Sequence, residues 1–275
     1  MEDSHLKAEK EQRSAISVLT GMPSLWPASV DWFDITLDSA VRNLALDEVL
    51  LQTVEENPTR GVLRTWHPDS HVVVVGRSNE ISSEVNEEEC RAQRVPILRR
   101  STGGGAVLIG PGCLAYALAL PLTAELRASG VVAVTQQVME AIASRLRTII
   151  RDVEVCGTSD LVVQGRKFSG NSQRWLRQAF LHHGTILYDF ALPRIGQLLR
   201  PPTRQPDYRQ QRTHEEFVTN VSVARQELIN VLVAAWRGIA ATCHQETLLQ
   251  SHRLAESRYA STEWTENRYT SHGGH

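Results

Sequence analysis

Lysine is almost missing from this chain. Of its 29 basic residues only Lys7, Lys10 and Lys167 are lysines, and the rest are arginines. Cysteine is sparse too. Cys90, Cys113, Cys156 and Cys243 are scattered with no CxxC spacing, which excludes a zinc ribbon and fits free thiols in a reducing compartment. No apolar run approaches the ~18 residues of a membrane span, and no apolar core of a signal peptide is visible at the start. A net charge of -2 gives no general attraction to nucleic acid or to an anionic membrane. The expectation is a cytoplasmic protein without nucleic-acid or membrane partners. There is no internal repeat, no P-loop and no GxGxxG fingerprint.

What is present is ordinary in bulk. At 275 residues and 41% hydrophobic content the chain suits one large domain or two small ones. Residues 1–25 are polar and mixed in charge, and are expected as a flexible N-terminal arm. Trp32 to Leu37 reads as a strand. Asp38 can cap a helix from Ser39 to about Glu55, with Val41, Leu44, Ala45, Val49 and Leu50 at helical spacing. Asn43 and Asp47, four apart, share a face of that helix. Gly61 to Trp66 and His71 to Val75 read as strands, Glu84 to Gln93 as an exposed helix, and Leu114 to Leu120 as a buried strand. A strong amphipathic helix is predicted over Val134 to Ile150. A turn at Gln164-Gly165 places Lys167 at the start of a returning strand. Phe180 to Leu187 is a strand whose adjacent His182 and His183 face opposite sides, so at most one serves a given site. Pro201 to His214 is irregular, Val223 to Ala240 is helical, and residues 248–275 are expected as a polar tail. Strands and helices do not alternate as βαβα, so the fold class is α+β.

Two features carry chemistry. Arg99-Arg100-Ser101-Thr102-Gly103-Gly104-Gly105-Ala106-Val107 sets three glycines between apolar runs, behind two arginines. Free amides and guanidinium groups suit a phosphate or carboxylate, although a glycine-rich hairpin turn has the same composition. The second is Lys167, the only lysine between residues 26 and 247. Its compact ammonium differs from a planar guanidinium fork.

These stretches resemble the signatures of the lipoate–protein ligase A family. So do Asn43-Leu44-Ala45-Leu46-Asp47-Glu48, Val75-Gly76-Arg77-Ser78-Asn79, Gly157 to Val163, Arg166-Lys167-Phe168-Ser169-Gly170-Asn171-Ser172-Gln173, and His182-His183-Gly184-Thr185. The blocks fall in the family's order and cover about Trp32 to Trp236, within an expected catalytic domain of residues 26–247. The resemblance implies the biotin/lipoate protein ligase catalytic-domain fold, with mixed β-sheets packed with helices around an acyl tunnel. It implies that lipoate or octanoate is activated with ATP and Mg²⁺ to an acyl-adenylate. The acyl group then passes to a lysine of a lipoyl carrier protein. By motif match Lys167 is the catalytic residue. Arg100, Gly103, Gly104, Gly105, Ala106, Val107 and Leu108 would bind the adenylate, and Arg77, Asp160, Ser169, Gly170, His183 and Gly184 the substrate.

The chain departs from the pattern after the glycines. The family's His-Asp-x-Gly-Asn is replaced by Ile109-Gly110-Pro111-Gly112-Cys113, and Gly-Pro-Gly is similar to octanoyltransferases of the wider superfamily. At this length the accessory C-terminal domain of many bacterial ligases is not expected, and a separate accessory chain is a candidate partner. No Gly-Arg-Gly-Arg run of biotin ligases is present. Two alternatives stay open. One is a carrier-dependent octanoyltransferase acting through a thioester on Cys156 or Cys113. The other is a non-catalytic lipoyl-binding protein.

Overall fold

The computed structural model describes residues 25–202 and 204–267. The expected N-terminal arm therefore lies outside the described residues apart from Leu25. The fold is α+β, as expected, and is built on two sheets. The larger has eight strands in the order β11-β1-β2-β6-β10-β9-β8-β7. In chain order these are β1 (Val30–Asp34), β2 (Gly61–Trp66), β6 (Cys113–Pro121), β7 (Val153–Cys156), β8 (Asp160–Val163), β9 (Arg166–Trp175), β10 (Ala179–Leu187) and β11 (Gly238–Ala240). β11, β1 and β2 run parallel, and the other neighbours are antiparallel. The smaller sheet has the order β4-β3-β5, from β3 (Val72–Val75), β4 (Ile97–Arg99) and β5 (Val107–Ile109).

Strand β6 shows how side-chain size positions the layers. Its large residues Leu114, Tyr116, Leu118 and Leu120 are buried with helix α4 (Ala124–Leu146) and helix α7 (Arg225–Ala235), through Val138, Met139, Ile142, Leu228 and Leu232. Ala117 and Ala119 point the other way, where small side chains let helix α1 (Ala40–Glu56) approach through Leu46, Leu50 and Leu51. β10 pairs His182 with Leu118 and His183 with Ala117. Paired residues share a face, so His182 belongs to the α4 side and His183 to the α1 side.

Several boundaries differ from the sequence reading for local reasons. Ser39, not Asp38, caps α1, with its Oγ accepting from Arg42 N at 3.3 Å, while Asp38 pairs with the Arg42 guanidinium at 2.9 Å. The acidic helix is split into α2 (Ile81–Glu84) and α3 (Glu87–Ala92), because Val85 is drawn into a bridge with Leu199. α4 begins ten residues before Val134 but breaks at Gly130, whose φ is +80°. The last predicted helix ends at Ala235, and Gly238–Ala240 becomes edge strand β11. The turn at Gln164-Gly165 is present, with φ of +51° and +70°.

The polar tail expected from residue 248 folds instead, as far as the described residues extend. After the short helices α5 (Pro193–Leu198) and α6 (His214–Phe217), the chain closes with α8 (Gln245–Leu254), a π-helical turn (Ala255–Tyr259) and α9 (Thr262–Glu266). The composition hid this because the anchors are few and partly polar: Ser251, Ala255 and Tyr259 are buried. No helix among the described residues is long and apolar enough to cross a membrane.

Candidate functional site

The glycine stretch connects β4 to β5 and is braced from beneath. Arg100 is buried, and its guanidinium donates to Val74 O at 3.1 Å, Gly103 O at 2.6 Å, Gly105 O at 2.8 Å and Thr102 Oγ1 at 3.0 Å. Burial lowers its pKa to about 10. Most of its donors are thus committed to holding the loop's shape. Gly104 has φ +85°, and a Cβ on Gly76 would strike the Gly104 carbonyl, so both positions require glycine. Glu84 closes the loop, its carboxylate accepting from Ala106 N and from the Asn79 side chain. The Ala106 amide, expected to face an anion, is therefore already occupied by a carboxylate of the chain itself.

Lys167 enters from the opposite wall, at the start of β9. Its Nζ lies 2.7 Å from Asp160 Oδ1, and Tyr208 Oη donates to Asp160 Oδ2 at 2.6 Å. A Cβ on Gly170 would sit 2.8 Å from Lys167 Cε and Nζ, so the missing side chain is the lysine's channel. Asn171 fixes the loop before Asp160, donating to Ser159 O at 2.8 Å, while Ser159 Oγ donates to Asn171 O at 2.7 Å. A Cβ on Gly184 would fall on the Asn171 amide. Ser172 Oγ reaches across to Gly103 O at 2.7 Å and ties the two walls together.

Between them a buried polar chain runs inward. Thr102 Oγ1 lies 2.7 Å from His183 Nε2, His183 Nδ1 is 3.3 Å from Asp47 Oδ2, and Asp47 Oδ1 is 2.7 Å from the fully buried Arg64. Asn43, which shares Asp47's helix face, caps the chain by accepting from Arg64. His183 thus reaches the site, while His182 lies on the α4 side with both ring nitrogens unpartnered among the described residues.

These walls enclose a cavity of about 280 Å³. That is close to the lower end of the ~300–1,000 Å³ typical of ligand pockets, and suits a slender guest. Part of its lining is apolar, from Leu44, Trp66, Val107, Leu108, Ile195 and Phe217. Of the predicted residues, Arg100, Gly104, Gly105, Ala106, Val107, Leu108, Asp160, Lys167, Ser169, Gly170, His183 and Gly184 line it. Gly103 contributes its carbonyl to the brace rather than to the lining. Arg77 does not line the cavity and stacks on Trp264 of α9, 4.0 Å from the ring centroid. Sequence reasoning missed Glu84, Arg209 and His214, which also line the cavity, and gave no site role to Asp47, which lines it too. Neither cysteine put forward as a nucleophile lines it. Burial pushes the Cys113 thiol up to about 12, and burial followed by Glu154 and Asp160 raises that of Cys156.

The cavity's carboxylates do not fit a protein-held cation. Asp47 faces Arg64, Asp160 faces Lys167, and Glu84 is taken by Ala106 N. Among the described residues no group of three or more His, Cys, Asp or Glu could hold a metal ion.

Comparisons with known proteins agree with this architecture. A lipoate-protein ligase A from Bdellovibrio bacteriovorus is 31% identical over 163 residues, covering 58% of this chain and 45% of that protein. Matches to other proteins named lipoate-protein ligase A span from 45% to 67% of their length. The octanoyltransferase LipM of Bacillus subtilis is 27% identical over 265 residues, covering 82% of this chain and 94% of that one. Among solved structures, the bi-partite lipoate protein ligase of Thermoplasma acidophilum, reported with its E2 lipoyl domain, superposes with a TM-score of 0.76 at 19% identity. It covers 89% of this chain and 98% of that one. A lipoate-protein ligase A bound with ATP gives a TM-score of 0.73 at 20% identity, covering 86% and 98%. At such identities the structures establish the fold alone. The family model for the lipoyl protein ligase A/B catalytic domain matches residues 39–235, from the cap of α1 to the end of α7, and the chain belongs to that family.

Proposed function

We propose that this chain activates lipoate or octanoate with ATP and passes the acyl group to a lysine of a lipoyl carrier domain. The observation that carries the reading is the placement of a single ammonium, Lys167, across one partly apolar cavity from the glycine loop. In activation a carboxylate oxygen of the acid attacks the α-phosphorus and pyrophosphate leaves. In transfer the carrier amine attacks the acyl carbon and AMP leaves. Both steps build charge on carbonyl and phosphate oxygens, which a fixed ammonium stabilises. Asp160 and Gly170 hold Lys167 for that role. Ser169, Gly184 and His183 border the acyl group, and the apolar wall takes its chain. Mg²⁺ would arrive bound to the nucleotide's phosphates. That relatives of this fold include a bi-partite ligase supports a separate accessory chain as partner.

A second reading, acyl transfer from an octanoyl carrier thioester, is favoured by one observation: the match to LipM spans 94% of that protein. The raised thiol pKa values of Cys113 and Cys156 argue against a resting thiolate here. Supplying the protein with a lipoyl domain and either octanoate, ATP and Mg²⁺ or an octanoyl carrier thioester separates the two. Acylation by mass spectrometry with ATP and free acid is the expected result. Acylation only from the thioester makes it a transferase. Binding of lipoate without transfer from either donor makes it a lipoyl-binding protein.

A further inference from the structure

Residues 204–214 form a strap along the cavity and add Arg204 and Arg209 to the cations that line it. Arg209 ends a 3₁₀ turn (Asp207–Arg209), lines the cavity, and is only 4% exposed. Its side chain is set in place. Nε donates to Arg212 O at 3.0 Å, Arg212 Nε returns a bond to Arg209 O at 3.0 Å, and the guanidinium carbon lies 4.7 Å from the Phe217 ring centroid. Arg212 in turn donates to Gly165 O at 2.9 Å and Tyr208 O at 2.8 Å, tying the strap to the hairpin that carries Lys167. Yet Arg209 Nη2 is buried without a hydrogen-bond partner among the described residues. A buried guanidinium normally has its donors satisfied, and leaving them empty is costly. Lys167, Arg209 and His214 all border the same cavity.

We propose that Arg209 is an oxyanion-binding residue of this cavity, receiving the carboxylate of the free acid or the phosphate oxygens of its adenylate. The proposal rests on the acyl-activating reading for the identity of the anion. A planar fork can engage two oxygens of either group at once. Its partner Phe217 and the locked turn remove most of the freedom that a surface arginine loses on binding.

The test is calorimetric binding of octanoate, of AMP and of 1-octanol to the wild type, Arg209→Met and Arg209→Lys. Met keeps the stem against Phe217 and removes the donors. Arg209→Met should weaken octanoate or AMP at least tenfold while 1-octanol is unchanged, and Arg209→Lys should recover part of the loss. A loss for octanoate alone assigns the carboxylate, and a loss for AMP alone assigns the phosphate. Unchanged binding of both anions, equal loss for 1-octanol, or no anion binding by the wild type overturns the proposal. Should the Met variant melt well below the wild type, the Arg209→Lys arm and an Arg209→Gln variant give the same reading. ATP-dependent acylation, measured in parallel on the wild type, keeps the two ideas apart. Acylation that requires ATP with unaltered Met-variant binding sinks Arg209 alone. No ATP-dependent acylation with weakened octanoate binding sinks the activation reading alone.

Discussion

Lys167 reaches its position because residue 170 has no side chain. Gly170→Ala would place a methyl carbon 2.8 Å from Lys167 Cε and Nζ. The lysine end is flexible, so the fold should survive and the ammonium should move away from Asp160. A displacement of ~1 Å at a reacting centre costs on the order of a hundredfold. Carrier acylation should fall by about that factor, with circular dichroism unchanged; a folded Gly170→Ala protein at the wild-type rate would remove Lys167 from the chemistry. Lys167→Arg should be nearly as damaging as Lys167→Ala, because the broader guanidinium cannot occupy that channel beside Gly170 and Asp160. The same mass-spectrometric assay decides it, and near-wild-type turnover would contradict the placement. Lys167 was legible in the sequence because lysine is so scarce there. Asp160 and His183 were legible because they sit inside ordered motifs. Arg209 was not, since it is one of many arginines in an irregular stretch and only the fold shows that it is buried. Arg77 lies outside the cavity's lining for the converse reason. Its strand-end position is compatible with a cleft, but an aromatic partner 187 residues later, Trp264, holds it elsewhere.

At the level of elements, the glycine loop is shaped by what lies behind it. Arg99, fully buried at the end of β4, donates to Gly76 O at 2.7 Å, Asn79 O at 2.8 Å and Thr265 O at 2.8 Å, and Trp264 Nε1 donates to Arg99 O at 2.8 Å. Glu48 of α1 is the other anchor. Its carboxylate takes Arg174 at 2.8 Å, Tyr259 Oη at 2.5 Å and Arg258. The last helices are therefore a buttress for the loop, and composition alone could not show it because the ties are side-chain bonds over long sequence separations. Periodicity found α1, the core of α4 and β6, where packing follows a simple repeat. It overran Ala235 as far as Ala240, where the chain leaves the helix for edge strand β11. Tyr259→Phe tests the buttress. Removing one donor from a buried carboxylate costs about 1–3 kcal/mol. Urea denaturation should show that loss with an unchanged m-value, whereas a polar tail would show no measurable change.

For the molecule as a whole, the pH dependence of stability should carry the mark of one residue in the main core. His182 lies between β10 and α4, fully buried, 6.2 Å from the Tyr116 ring, with neither ring nitrogen hydrogen-bonded among the described residues. Burial, and secondarily His183, lowers its pKa from 6.5 to about 3. The unfolded chain takes up a proton near pH 6.5, and the folded chain does not until far lower. Stability is therefore full above that pH and declines as the pH falls toward the folded value. The slope is about 1.4 kcal/mol per pH unit, or about 2 kcal/mol between pH 7 and pH 5. Replacing both ring nitrogens with carbon removes the titration without breaking a hydrogen bond. His182→Phe should thus match or exceed the wild type at pH 7 and pull clearly ahead at pH 5, above the range where most carboxylates titrate. Chemical denaturation of the two proteins at both values reads the difference directly. Parallel losses in wild type and variant would mean that the acid sensitivity of the core lies in other groups.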